Sequence, residues 1–364
     1  MSPAKSNLHM NTAHLPAILA LCVALGLTAC GGGGGGESNA SQTAPTAADN
    51  SVTQRSVAIP SATYAAGSAE LGGWTVLQQA RVLCGFGALR QDVNLDKAAQ
   101  NHARYLASES VATGTHLLSH TEDNPNNPYY KGNLPWDRTV NASQYYGVQV
   151  AEILEATYWQ YDVAYPPVFP PRQERGATSM RRLLNTVYHL SGALNDGSDV
   201  GFGADIQTYA NGTQRVEEYR FGSLNGAQNG TLSLDREQPA TYPCKDSSNI
   251  PPAFVPSDER PNPFPLLDPG VAVGTPIYLK VDTGQTLTLT SHSISTANVA
   301  VTTTVLTHTN DPARDAQGQP YIDVNEVFVV PNAPLQANTS YQVALSGTIN
   351  GRSFTRNFTM ITGQ

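Results

Sequence analysis

Between residues 69 and 113 apolar side chains recur at helical spacing. Trp74, Leu77, Ala80, Leu83 and Cys84 share one face of a first predicted helix, about residues 69–84, and Gly85 is placed to cap it. In a second, Leu95, Ala98, Ala99, His102 and Leu106 line one face, while Asp96, Lys97, Gln100, Asn101 and Arg104 fill the other. Asn94 is its expected N-cap, and Asp96 faces the positive end of the helix. The spacing stops at Thr113-Gly114, and Ser119-His120 leads into a turn-rich loop over 123–128. His120 therefore stands at the end of an element, where working side chains are commonly carried on a rigid support. If residues 149–155 are helical, Glu152 and Glu155 share a face. Prolines between 166 and 171 interrupt the pattern, and a third helix begins near Thr178-Ser179 with Met180, Leu183, Leu184 and Val187 as its apolar stripe. His189 falls opposite that stripe and is expected to face a cleft or solvent.

From Asp199 the period changes to that of strands, over residues 200–206 and 216–222, with Asn211-Gly212 in the turn between them. Helices followed by antiparallel strands give an α+β class for a first domain closing near Cys244. A proline-rich run over 250–265 has no period and reads as a stiff linker. Beyond it the pattern is all short strands, at 277–280, 286–291, 299–307, 327–330, 341–346 and 354–360, which predicts an Ig-like β-sandwich. Tyr341, at the end of Leu335-Gln336-Ala337-Asn338-Thr339-Ser340-Tyr341, is either the corner tyrosine of such a fold, tying a loop down through its hydroxyl, or a core aromatic.

The length of 364 residues accommodates two cores. With a net charge of −8 and 21 Lys+Arg there is no basic stripe, so nucleic acid is excluded as a partner class. Lys5 precedes an apolar run over 15–27 that is too short to span a bilayer and reads as a secretory signal. The run ends in Leu27-Thr28-Ala29-Cys30, which resembles the bacterial lipobox, and a lipidated Cys30 is the expected first residue of the mature chain. Gly31 after it resembles the Gram-negative pattern for the outer membrane, with the protein facing the periplasm or the cell surface. Residues 31–67 are rich in Gly, Ser, Ala and Thr and read as a tether, reaching about 35 Å on average. With Cys22 in the signal and Cys30 lipidated, Cys84 and Cys244 remain. They form either a disulfide or two buried thiols, and the oxidising address favours the disulfide. The expected division is signal 1–29, tether 30–66, first domain 67–247, linker 248–264 and β-sandwich 265–364.

Residues 74–203 resemble the CAP superfamily, the cysteine-rich secretory protein, antigen 5 and pathogenesis-related group. The resemblance rests on Gln78-Gln79-Ala80-Arg81 before Gly85-Phe86-Gly87-Ala88-Leu89, then residues 95–106, then Ser119-His120, and finally His189 followed by Val200-Gly201-Phe202-Gly203. It implies an α-β-α sandwich with a cleft of two histidines and two acids that hold a divalent metal in some members. Carried over by position, these are His120, Glu152, His189 and, by spacing, Glu174, with Glu155 as the alternative second acid. The glycine and asparagine usual around the first acid are here Ala151 and Ile153. Two imidazoles with carboxylates suit zinc or magnesium. His102, on the apolar stripe, reads instead as a hydrogen-bonded core histidine, and His116 as a surface residue.

Three functions follow in order of expectation. The first is an envelope binding module taking a metal and a lipid-like ligand. The second is a surface interaction or adhesion protein with a vestigial cleft, and the third a metal-assisted hydrolase. No G-x-S-x-G, no H-E-x-x-H and no spare cysteine supplies a nucleophile, so no catalytic residue is assigned.

Overall fold

A computed structural model describes residues 5–9, 49–54, 56–234, 237–297 and 299–364. The apolar signal run, Cys30 and most of the tether lie outside the described residues. The first part of the chain contains β1 (Lys5–His9), β2 (Asp49–Gln54), α1 (Ala69–Leu83), β3 (Arg90–Gln91), α2 (Val93–Thr113) and a short α3 (Pro135–Asp137) that runs into a π-helical turn, Arg138–Ala142. It continues with β4 (Val150–Asp162), α4 (Arg172–Leu183), α5 (Tyr188–Ala193), β5 (Asp199–Asn211), β6 (Gln214–Gly226), β7 (Asn229–Ser233) and β8 (Ala240–Tyr242). The class is α+β. The helix α1 is capped by Ser68, whose hydroxyl accepts from Leu71 N–H. The cap of α2 is Asp92, two residues before the Asn94 expected; its carboxylate accepts from the N–H groups of Asn94 and Leu95.

The sheet runs β1-β4-β6-β5-β3, antiparallel apart from the β3–β5 pair. Residues 150–162 form the strand β4, so the helical reading of 149–155 is corrected. In a strand, side chains alternate between faces, which puts Glu152 and Glu155 on opposite sides of the sheet. One face carries Ile153, Phe202, Tyr219 and Phe221, packed with Trp74 and Leu77 of α1, Met180 and Leu183 of α4, and Leu190 of α5. The other face receives α2: Leu95, Ala98 and Ala99 pack with Leu224 and Tyr145, and Tyr105 and Leu106 pack with Leu154. Two glycines of β5 make that approach close. A Cβ on Gly203 would lie 2.3 Å from Ala99 C and Gln100 N, and one on Gly201 would lie 2.2 Å from Asp96 N. Any side chain at either position would push the helix off the sheet.

The rest of the chain comprises β9 (Ala253–Phe254), a 3₁₀ turn (Pro256–Asp258), β10 (Val273–Gly274), β11 (Ile277–Lys280), β12 (Leu287–Thr296), β13 (Val299–Ala300), β14 (Thr303–Thr307), β15 (Glu326–Pro331), β16 (Ser340–Ile349) and β17 (Arg352–Ile361). Two four-stranded sheets result, β14-β15-β11-β8 and β13-β12-β16-β17. Between them Ile277, Leu279, Val327 and Val329 meet Val343, Leu345, Phe354 and Phe358. Tyr341 sits in this core, and its hydroxyl accepts from Gln336 N–H at 2.8 Å, so it both packs and ties the loop down.

The strands β11 and β15 are buried along their whole length. The alternate residues Tyr278, Phe328 and Val330 point away from the second sheet and join the core of the first domain, where Phe86 stacks on Tyr278 with centroids 6.0 Å apart. One sheet is thus buried on both faces, which is why its strands read as continuous apolar runs. The strand β8, from the segment assigned to the first domain, is that sheet's edge. Nor does the proline-rich run behave as a spacer. Phe254 joins the shared core, Glu259 is fully buried, and Asn185 of the α4–α5 turn donates to Ala253 O. Cys84 and Cys244 form a disulfide with Cα atoms 5.3 Å apart. Among the described residues no helix is long and apolar enough to cross a membrane.

Candidate functional site

On the α2 face of the sheet five ionisable side chains meet without access to solvent. His102 comes from α2, His120 and Glu122 from the loop after it, Arg138 from the π-helical turn, and Glu152 from β4. The residues are at most 2 % exposed. Glu152 lies at the centre: its two oxygens accept from Arg138 Nη2 at 2.7 and 2.9 Å, and Oε2 is 2.8 Å from His120 Nδ1. Arg138 Nη1 donates to His120 O and Asn133 O, which fixes the loop over the guanidinium. Glu122 accepts from the Lys131 N–H and faces His102 Nδ1 at 3.0 Å. His102 Nε2 is 2.9 Å from Ser119 O. Both ring nitrogens of His102 therefore face oxygen atoms, one a side-chain carboxylate and one a backbone carbonyl.

The carboxylates of Glu122 and Glu152 thus share the Arg138 guanidinium and two imidazole rings as neighbours. Burial pushes the Glu152 carboxyl up, but Arg138, His102 and His120 outweigh it and hold the group far below the usual carboxylate range. Most of the network's polar atoms are paired internally, as buried charges require, while Arg138 Nε has no hydrogen-bond partner and stands 3.7 Å from Glu122 Oε1. His102 is the hydrogen-bonded core histidine that its place on the apolar stripe implies.

The four residues proposed by sequence do not come together. His120 and Glu152 are neighbours, while Glu174 sits on the surface of α4 with Arg181 at 2.9 Å. His189 is fully buried on α5, contrary to the expectation of a cleft or solvent position. There Glu259 from the proline-rich run accepts from the N–H groups of Val187, Tyr188 and His189, and His189 Nδ1 lies 2.9 Å from Thr186 Oγ1 and 3.0 Å from Glu259 Oε1. The alternative acid Glu155 pairs with Arg182. His116 is half-buried, bonded to Glu218 and stacked on Tyr158. The donor set around Glu152 does not suit a divalent ion, because Arg138 already occupies both carboxylate oxygens with a positive charge. Among the described residues no group of three or more His, Cys, Asp or Glu is arranged to hold a metal.

A second site lies where the two domains meet. A cleft of about 320 Å³ is lined by the start of β4 (Gln149, Val150, Ala151), by Ser191 and Asp196, and across from them by Lys280, Tyr321 and Glu326. Lys280 is buried, its ammonium 3.1 Å from Glu326 Oε1 and 3.6 Å from Asp196 Oδ1. Burial opposes its charge, but Asp196 and Glu326 outweigh that and hold its pKa above the ordinary lysine value. Glu326 Oε1 also accepts from Ser191 and Tyr278. Ser191 is therefore not an activated nucleophile: the nearby lysine is kept protonated, and the carboxylate it faces is engaged by two other donors.

Sequence reasoning missed Glu122, Arg138 and the cleft. The first stands two residues past His120 in the same loop, a signal that was present. Lys280, a charge in the apolar run Ile277-Tyr278-Leu279, marks the cleft in the same way. The chain matches no protein-family model and no curated protein.

Proposed function

We propose that this is a lipid-anchored, CAP-like binding protein of the bacterial cell envelope, with an Ig-like second domain, whose ligand site is the cleft between the domains. The observation that carries the reading is the pairing of a closed, internally bonded His/Glu/Arg cluster with an open cleft to which both domains contribute. In this reading the cluster is a rigid support and the cleft receives the ligand. The zinc or magnesium ion implied by the family resemblance has no role in it, and the hydrolase reading lacks an activated group in either place.

The site assignment is tested by a thermal-shift screen of small polar molecules against the purified full chain, with Gln149→Trp to fill the cleft mouth and His120→Gln to alter the cluster. Hits that stabilise wild type and His120→Gln but not Gln149→Trp are expected. Hits that depend on His120 and ignore Gln149→Trp would move the site back to the cluster. The anchor has its own test: cells expressing the protein should incorporate labelled palmitate into it, and Cys30→Ser should abolish the label. Equal labelling of the two refutes lipidation at Cys30.

A further inference from the structure

The chemistry of the cleft narrows what it would hold, given that it is the ligand site. Its floor is Asp196, 7 % exposed. Asp196 Oδ2 accepts from Thr283 Oγ1 at 2.5 Å, while Oδ1 has no hydrogen-bond donor within reach. The nearest cation to Oδ1, Lys280 Nζ, stands 3.6 Å away and donates instead to Glu326. Elsewhere in the lining, the Gln149 side-chain nitrogen is enclosed without an acceptor. A lining with an unused acceptor and an unused donor is unusual, since buried polar groups are nearly always paired. Both atoms are closed to solvent, so a ligand pairs with them only by displacing the side chains that cover them, and that pairing would remove the cost.

Three features decide the class of ligand. The lining carries four carboxylates, Asp196, Asp315, Asp323 and Glu326, so it is rich in acceptors and calls for a ligand rich in donors. Asp196 already faces two cations, Lys280 in the lining and the buried Arg81, whose guanidinium holds Ala193 O and Asn195 O. At Asp196 a neutral donor therefore fits better than a second ammonium, which would have to displace Lys280. Finally, the ring of Tyr321, backed by Tyr188 at 5.5 Å between centroids, gives the cleft an aromatic wall beside the polar groups. Hydroxyls that both donate and accept, on a ring with an apolar C–H face, answer all three features.

We propose that the inter-domain cleft binds a short neutral saccharide, with Asp196 and Gln149 pairing with its hydroxyls and Tyr321 packing against its ring. The cleft is then a glycan-reading site formed only when the two domains are joined.

The test is calorimetric titration of the full chain in detergent with glucose, cellobiose and N,N′-diacetylchitobiose as neutral probes, and with glucosamine and spermidine as cationic ones. At least one neutral sugar should bind, and Asp196→Asn should weaken it about tenfold or more, the effect of losing one charge-assisted hydrogen bond. Gln149→Leu, at the half-buried rim and so tolerated by the fold, should weaken it by several-fold. Binding of the cationic probes alone overturns the saccharide assignment and leaves the cleft as a binding site. Sugar binding indifferent to both substitutions overturns it as well. If no probe binds, the saccharide assignment falls, and the thermal-shift screen decides separately whether the cleft reading falls with it.

Discussion

Replacing Arg138 by leucine lowers the stability of the protein by about 3–5 kcal/mol, because it leaves the carboxylate of Glu152 buried with half its partners gone. Equilibrium urea unfolding measures the loss. The double variant Arg138→Leu/Glu152→Leu should recover much of it, since removing both charges of a buried pair is far less costly than removing one. A single variant as stable as wild type would show that the cluster is not the internally paired network described. The same pairing sets a pH dependence. Glu152 titrates below its unfolded value of about 4, so its contribution is complete above that pH and is lost as the pH falls through the depressed folded value. Stability measured by urea midpoint should thus decline below about pH 4, and the decline should be shallower in Glu152→Gln.

The Cys84→Ser/Cys244→Ser double variant is expected to lose roughly 5 kcal/mol, the chain-entropy value for a loop of 160 residues, less whatever structure the unfolded chain retains. Both cysteines are buried, so reductant should act only after the chain opens. The bridge joins the end of α1 to the residues just after β8, the strand that edges the second domain's sheet. Its loss should therefore loosen the junction before the distant sheet β13-β12-β16-β17. Hydrogen exchange that rises first in β8 and β11 would agree. Unchanged stability in the double variant would mean that packing alone holds the junction.

How much of this was legible in the sequence differs by element. The helices α1 and α2 show their 3.6-residue period openly, and the stripe that identifies α2 also places His102 inside. The strand β4 hides its type because both faces are covered: Ile153 and Leu154 are core on opposite sides, and Glu152 and Glu155 are each buried with a positive partner, so no alternation of polar and apolar remains. The disulfide was accessible from cysteine arithmetic. By contrast, the burial of His189 depends on Glu259, 70 residues further on, and nothing local to either residue signals it. The proline-rich run looked like a linker because it has no period, yet it packs through single residues, Phe254 and Glu259. The shared sheet left a trace in the apolar strands β11 and β15, whose burial on both sides a single sandwich does not require.

That shared sheet carries the account, since the cleft exists only if the two domains are held as one body by β11, β15 and the buried Lys280–Glu326 pair. Differential scanning calorimetry of the intact chain tests this directly. The expected result is one transition for both domains, with calorimetric and van't Hoff enthalpies in agreement. Two separated transitions, with the β-sandwich melting independently of the helical domain, would contradict it.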